Sequence, residues 1–210
     1  MAAHVAAGDT VNVAWFTDGV SSRNESGDRL STMAKTRRAE ASAAMEALGV
    51  NGRIFEFAFP DQRMDMVPAM DIATAIWGAL VEVGNPSVVY THCPGDLNQD
   101  HRRVAEATLI ACRGWRDQAP TSLVAYEVPE TTHQSPGMGS AFRADMFHRI
   151  PKQFMDAKLR ALECYSSETR QEPHPRSSFG VRARAAFLGS CVGAKYAEAF
   201  QILRAVRDVQ

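Results

Sequence analysis

One loop of the sequence gathers the side chains best suited to metal or acid–base chemistry. Residues 91–103 include two histidines, two aspartates and an asparagine, namely His92, Asp96, Asn98, Asp100 and His101. A neutral imidazole binds zinc, and a neighbouring carboxylate can orient the ring or handle protons. The same loop also has ordinary structural features, because Pro94-Gly95 is turn chemistry and Asp96 with Gln99 resembles a helix-capping pair. The residue types alone leave a metal site and a structural loop both open.

Other residues with chemical potential are scattered along the chain. The polar loop 17–22 follows the first apolar segment, and Asp65 lies in a loop after the second one. His174 stands in the stiff segment Pro173-His174-Pro175-Arg176, which could hold an imidazole at a cleft mouth or simply expose it on a rigid loop. Arg37 is expected on a solvated helix face unless a ligand approaches it. Three further histidines are expected at the surface or at strand edges: His4, His133 and His148.

Three common catalytic signatures are missing from the sequence. Asp18-Gly19-Val20-Ser21 follows the first predicted strand, where a dinucleotide site would need G-x-G-x-x-G. The sequence also lacks the G-x-S-x-G nucleophile elbow and a P-loop lysine. Dinucleotide binding, α/β-hydrolase chemistry and P-loop nucleotide hydrolysis are therefore excluded as interpretations.

The apolar pattern predicts that the chemically interesting loops connect alternating strands and helices. Strands are predicted at 11–16, 53–57, 87–91, 121–126 and 145–150, and helices at 30–48, 72–83, 104–115 and from Pro151 to about 165, followed by a polar segment and a terminal helix or hairpin. Such alternation indicates an α/β fold with a mostly parallel sheet, flanking helices and right-handed crossovers. Because active sites in open α/β sheets lie beyond the carboxyl ends of the strands, loops 17–22 and 91–103 are the expected site.

Composition limits the class of protein further. The 210 residues, 45% of them hydrophobic, suit a single domain over 1–210 with a substantial core. The formal net charge of −1 argues against a nucleic-acid partner bound through phosphate charge. The four cysteines include no C-x-x-C pair, which favours reduced thiols in the cytoplasm. No apolar run approaches the ~18 residues of a membrane helix, so no membrane partner is expected.

Together these motifs resemble the PIG-L/LmbE family of zinc-dependent deacetylases, which act mostly on N-acetylglucosamine-type sugars. The resemblance spans the chain through Thr17-Asp18-Gly19, Arg37-Arg38-Ala39-Glu40, Thr91-His92, Asp96 to Arg102, Tyr126-Glu127-Val128-Pro129 and Pro173 to Ser177. The segment from Asp96 to Arg102 is its most specific part. The resemblance implies a Rossmann-like fold, a zinc cofactor, a small-molecule amino-sugar substrate and amide hydrolysis by a zinc-activated water.

The resemblance also implies roles for six residues. His101 is the implied zinc ligand, and Asp100 beside it is implied to fix the orientation of the ring. Asn98 stands where many family members have a histidine that stabilises the oxyanion; an amide can donate a hydrogen bond there but cannot carry a positive charge. Arg37 and Asp65 are implied to contact the sugar, and His174 is implied to complete the acyl pocket.

The chain departs from the family in one motif. The family's His-Pro-Asp-Asp-Glu sequence, which supplies two zinc ligands and the general base, is absent. Residues 1–9 resemble the second half of the helix that follows that motif, so the sequence predicts a missing strand, metal loop and half-helix of on the order of 30 residues. One histidine is too few for a catalytic zinc ion, which takes three protein ligands. Two explanations compete: a truncated or misassigned start of an active enzyme, or a non-catalytic relative acting as a sugar-binding or structural subunit. The sequence leaves open whether the chain forms a homo-oligomer.

Overall fold

The computed structural model of the protein describes residues 1–23, 25–84, 86–116, 119–134 and 141–207. Within them, helices and strands follow each other in this order: α1 Ala2–Ala6, β1 Val13–Trp15, α2 Gly27–Ala47, β2 Ile54–Glu56, α3 Ala69–Val83, β3 Val88–His92, α4 Gln99–Ala111, β4 Ser122–Tyr126, β5 Met146–Arg149, α5 Lys152–Glu163, α6 Ser178–Cys191 and β6 Ala197–Ala205. Short 3-10 turns lie at Met64–Met66 and Thr132–Gln134. None of the helices in the described ranges is long and apolar enough to cross a membrane.

The strands form two sheets. β1 and β2 pair in parallel, and the second sheet has the order β3-β4-β6-β5, in which β3 and β4 are parallel. β6 runs antiparallel to β4. The predicted α/β class with a mostly parallel sheet is confirmed. The segment left open as a helix or hairpin forms α6 and β6, and Pro151 precedes α5 as its N-cap residue instead of opening its first turn.

The described chain divides into two compact units. The first unit comprises Met1–Asp61 and Phe147–Glu198, and the second comprises Gln62–Met146 and the chain from Ala199 onwards. The single domain over residues 1–210 remains a prediction.

In the first unit, the long helix α2 packs against α5 through alanine residues on both helices. Ala44 and Met45 of α2 pack with Ala161 of α5, and the apolar side chains of Val13 and Trp15 on β1 lie against this cluster. Alanine on both helices lets their backbones approach closely. This packing fixes the α2 residues Arg37 and Glu40 relative to the loop that follows β1.

In the second unit, β3 and β4 define the edge at which the candidate site lies. Their parallel register pairs Val88 with Ser122 and ends by pairing His92 with Tyr126. α4 then begins at Gln99, with Asn98 as its N-cap residue. The side chains of His92 and Tyr126 are therefore brought together by strand pairing, immediately before the loop that leads into α4.

Candidate active site

The buried carboxylate of Asp96 organises the loop between β3 and α4. Its side chain is 0% exposed. Oδ1 accepts a hydrogen bond from the backbone N–H of Asn98 at 2.8 Å and lies 3.1 Å from Nδ1 of His101. Oδ2 accepts hydrogen bonds from the hydroxyls of Thr131 and Thr132. Burial raises the pKa of Asp96, but the hydrogen bonds from His101, Thr132, Asn98 and Thr131 outweigh it and hold the pKa well below its ordinary range.

His101 is restrained along one edge and across one face. Its Nδ1 contacts Asp96, and its ring stacks on the ring of His92 with centroids 4.2 Å apart and planes 13° from parallel. When Nδ1–H is given to a carboxylate, Nε2 is the nitrogen that can bind a metal or accept a hydrogen bond. The side chain is 21% exposed, so a ligand can reach it.

The ring of His92 in this stack is itself held by Tyr126. Nε2 of His92 lies 2.9 Å from the hydroxyl of Tyr126. Nδ1 of His92 is buried and has no hydrogen-bond partner within the described ranges. Burial, reinforced by the nearby His101, lowers the pKa of His92 to about 3, and burial likewise raises the pKa of Tyr126 far above its ordinary range. Both side chains are therefore neutral near pH 7.

Asp100 and Asn98 support the backbone around the site. The carboxylate of Asp100 accepts hydrogen bonds from the N–H groups of Gln62 at 2.6 Å and Met64 at 3.1 Å. Oδ1 of Asn98 caps α4 by accepting from the N–H of Asp100 at 2.9 Å, which leaves its amide NH₂ as the donor group.

Nδ1 of His101 thus contacts the carboxylate of Asp96, and the role of Asp100 in fixing the orientation of this ring, which the family resemblance implies, remains a prediction. Consecutive residues of a helix project about 100° apart, so Asp100 and its neighbour His101 face different surroundings. Asp96 lies before the helix, and the turn at Cys93–Asp96 brings it back under the first helical turn. The spacing of Asp96 and Gln99 predicts a helix cap, and the spacing of Asp96 from His101 gives no signal of this contact.

Two other predicted residues lie in exposed or irregular segments. Asp65 is exposed in the 3-10 turn at Met64–Met66, where its backbone carbonyl accepts from Nη2 of Arg103 at 3.4 Å. His174 belongs to the first unit, and its Nδ1 accepts a hydrogen bond from the N–H of Arg176 at 3.0 Å. Contacts of Asp65 with a sugar, and of His174 with an acyl group, remain predictions.

In the first unit, the carboxylate of Glu168 gathers three guanidinium groups. Arg23, Arg37 and Arg176 all donate hydrogen bonds to it. Burial raises the pKa of Glu168, but the three arginines outweigh that effect and leave the pKa below its ordinary range. Nε of Arg37 also lies 3.6 Å from the carboxylate of Glu40. Arg37 is therefore held firmly in an ionic network, and its contact with a sugar remains a prediction.

Removing the charge of Glu168 is expected to destabilise the protein. Glu168→Gln leaves three partly buried guanidinium groups with a neutral partner, so the free energy of unfolding should fall by about 2 kcal/mol. Urea denaturation at pH 7 measures the change. Glu163→Gln, at an exposed position near the end of α5, is the matched control and should stay within about 0.5 kcal/mol of wild type. Equal stabilities of the two variants would show that the network contributes nothing.

The loop after β1 is shaped by two carboxylates. Asp18 accepts hydrogen bonds from the N–H groups of Val20 and Ser21 at 3.0 and 2.9 Å. The buried Asp61 accepts from the hydroxyl of Thr17 at 3.2 Å and from that of Ser22. The polar groups of this loop are thus engaged in its own structure.

Gly19 lies in the tight part of the same loop. Its φ of 65° is left-handed, and an added Cβ would come within 3.3 Å of Nη1 of Arg37. Glycine adopts this conformation without strain, whereas a larger residue would be strained and would require the Arg37 guanidinium to shift by a few tenths of an ångström.

The donor set can be tested against the zinc ion that the family resemblance implies. Within the part of the chain that the structure describes, no three histidine, cysteine, aspartate or glutamate side chains are grouped so that they could hold a metal ion. His101 has the geometry of a ligand, since its Nδ1 meets a carboxylate. A catalytic zinc ion needs three protein ligands. The described residues thus offer one prepared ligand and do not fit a complete catalytic zinc site.

Comparison with known proteins identifies relatives of this fold. A model of the PIG-L family, described as GlcNAc-PI de-N-acetylase, matches residues 1–112. A conserved protein from Thermus thermophilus is 22% identical, with 99% of this chain and 88% of that chain covered and a TM-score of 0.75. The N,N'-diacetylchitobiose deacetylase from Pyrococcus horikoshii is 18% identical, with 96% and 76% covered and a TM-score of 0.74. No curated protein matches the chain.

A third solved structure shows that the fold alone does not determine the reaction. The 4-carboxy-2-hydroxymuconate hydratase from Pseudomonas putida is 21% identical, with 100% of this chain and 91% of that chain covered and a TM-score of 0.67. At these identities the structural likeness establishes the fold, and the reaction must be argued from the family match and the site residues.

Proposed function

Because the chain belongs to the PIG-L family of de-N-acetylases, we propose that it removes the N-acetyl group from an amino sugar or glycoconjugate of the N-acetylglucosamine type. The family match over residues 1–112 supports the deacetylase reaction. The observation within the site that best supports it is the ring of His101, which is anchored to the buried Asp96 and can offer its Nε2 to a ligand. The substrate class follows from the family resemblance.

We propose the following roles for the chain's own residues. His101 would be this chain's ligand to a zinc ion, which would lower the pKa of a water molecule and polarise a carbonyl. The amide NH₂ of Asn98 donates a hydrogen bond to the acetyl oxygen as negative charge develops there. Asp100 supports this arrangement through the backbone of Gln62 and Met64. Arg37 and Asp65 contact the sugar, and His174 completes the pocket for the acyl group.

A second candidate function is sugar binding without catalysis, either as a binding module or as a structural subunit. It is supported by the lack, within the described ranges, of a three-residue group that could hold a metal ion. The two functions differ in a measurable way, because both predict binding of an N-acetylated sugar and only the first predicts release of acetate. A cytoplasmic location and a homo-oligomeric state remain predictions.

Replacement of His101 tests the proposed reaction. Because the described residues do not complete a zinc site, we expect the 210-residue chain with one equivalent of zinc to release acetate from N,N'-diacetylchitobiose only slowly. His101→Ala should lower kcat/KM by at least about 100-fold, since even residues that only support a metal ligand matter by roughly 10- to 100-fold. His4→Ala, which removes a histidine from α1, is the control and should keep wild-type activity.

The same preparation distinguishes the two candidates. Calorimetric titration with N,N'-diacetylchitobiose and zinc analysis of the purified chain accompany the acetate assay. Sugar binding without acetate release or bound zinc would replace the deacetylase with the binding function. A chain that neither binds the sugar nor releases acetate would contradict both functions.

A further inference from the structure

We propose that His92, held by Tyr126, is a positioning residue that fixes the plane of the His101 ring and so sets the direction of its Nε2. The inference deepens the proposed function, because it rests on His101 being the working residue of the site. It concerns residues of β3 and β4 that have no assigned role, and it is carried by the geometry of three stacked and hydrogen-bonded rings.

The contact with Asp96 cannot orient His101 by itself. A hydrogen bond at Nδ1 holds one corner of the ring, and the ring can still pivot about that corner. The near-parallel stack on His92, at 4.2 Å and 13°, blocks that motion from one face. The hydrogen bond at Nδ1 and the stack on His92 together define the direction in which Nε2 points. Displacement of a reacting group by about 1 Å can lower a rate by roughly 10²-fold, so this direction matters for any ligand bound there.

The support behind His92 is itself rigid. His92 and Tyr126 are opposite each other in the parallel register of β3 and β4. The Tyr126 hydroxyl lies 2.9 Å from Nε2 of His92, and the two rings are tilted against each other with centroids 4.9 Å apart. Sites supported by strands hold their geometry better than sites supported by loops. The ring of His101, at the start of a helix, thus rests on a support fixed by the sheet.

His92 is half-buried, and an apolar side chain would fill the buried part of this position without leaving an unsatisfied polar atom. Nδ1 of His92 is buried without a hydrogen-bond partner in the described part of the chain, and such an orphaned polar atom is unfavourable. A buried tyrosine hydroxyl likewise needs a partner, which His92 supplies. The imidazole therefore does something that leucine or valine would not: it presents a flat ring whose rotation is locked by Tyr126.

Three variants separate these contributions. His92→Leu removes the flat face, His92→Phe retains a flat ring but loses the bond to Tyr126, and Tyr126→Phe removes only the hydroxyl. Tyr90→Phe, on the same strand as His92, is the control. Nitrogen-15 NMR of the His101 side chain reports which ring nitrogen carries the proton and whether the ring holds one orientation. The measurement uses the 210-residue chain at about pH 7.5 without metal or substrate.

The wild-type and Tyr90→Phe proteins should give one set of His101 signals, with the proton on Nδ1. His92→Leu should split or broaden these signals as the ring gains orientations, His92→Phe should largely restore the single set, and Tyr126→Phe should give an intermediate spectrum. Wild-type spectra for folded His92→Leu and Tyr126→Phe would overturn the proposal. If His92→Leu does not fold, an unchanged spectrum of Tyr126→Phe overturns it alone.

This test is independent of catalysis. Loss of ring order in His92→Leu, in a chain that releases no acetate, would leave the positioning role standing and remove the deacetylase function. Acetate release with a His101 spectrum insensitive to His92 would do the reverse.

Discussion

As the pH falls from about 6.5 to 4, His92 is expected to lower the free energy of unfolding by about 1.4 kcal/mol for each pH unit. Burial, reinforced by His101, lowers the pKa of His92 to about 3 in the folded protein, whereas an unfolded histidine titrates near 6.5. Between these values the unfolded chain binds a proton that the folded chain does not. Acid therefore favours unfolding in this range, and above about pH 6.5 the residue contributes no pH dependence.

Denaturant titrations of wild type and His92→Phe at half-unit steps from about pH 7.5 to pH 4.5 measure this effect. The free energy of unfolding of the variant should depend less steeply on pH than that of wild type, by about 1.4 kcal/mol per pH unit. His148, whose pKa is also lowered by burial, adds to the slope of both proteins and cancels from the difference. Tyr90→Phe, on the same strand as His92, changes no histidine and should keep the wild-type slope. Identical slopes for wild type and His92→Phe would mean that the folded protein protonates His92 freely.

Asp96→Asn is expected to lower the free energy of unfolding at pH 7 by about 3 kcal/mol. The carboxylate is 0% exposed and accepts hydrogen bonds from Asn98, Thr131 and Thr132 in addition to its contact with His101. An amide of the same shape turns an NH₂ group toward some of these donors, and it no longer offers a negative charge to any of them. The loop between β3 and α4 should therefore lose its central acceptor.

Chemical denaturation of Asp96→Asn and of Asp71→Asn, an exposed change in the first turn of α3, provides the comparison. The control should lose no more than about 0.5 kcal/mol. His101→Ala combined with Asp96→Asn should be less destabilised than the sum of the single variants, because the two residues share a contact. An Asp96→Asn protein as stable as the control would show that the buried carboxylate is not the organising group of this loop.

The contribution of Asp96 also has a pH window, distinct from that of His92. Its folded pKa is depressed, so its stabilisation is complete above the unfolded value of about 3.9 and is lost as the pH falls through the folded value. The carboxylate of Asp96 therefore adds to the slope mainly below about pH 4.5, and it cancels from the difference between wild type and His92→Phe because both proteins contain it.

Much of the fold could be predicted because its signals are local. The apolar runs that became β3 and β4, and the helical spacing that became α4, depend on residues close together in the chain. The boundaries were less well predicted, since α4 begins at Gln99 and not near Val104. Its first turn is polar and carries no apolar periodicity, and the cap formed by Asn98 is a side-chain contact that spacing does not reveal.

For the site, the sequence by itself determined the chemical inventory: the histidines, carboxylates and amide of the loop before α4, and their place at the carboxyl end of a strand. It did so because residue types and short spacings are properties of a single segment. The tertiary structure decided which of these groups meet. Tyr126 reaches His92 from 34 residues away through strand register, and Thr131 and Thr132 reach Asp96 from 35 and 36 residues away. Asp96 meets His101 because the turn before α4 brings its carboxylate to the ring.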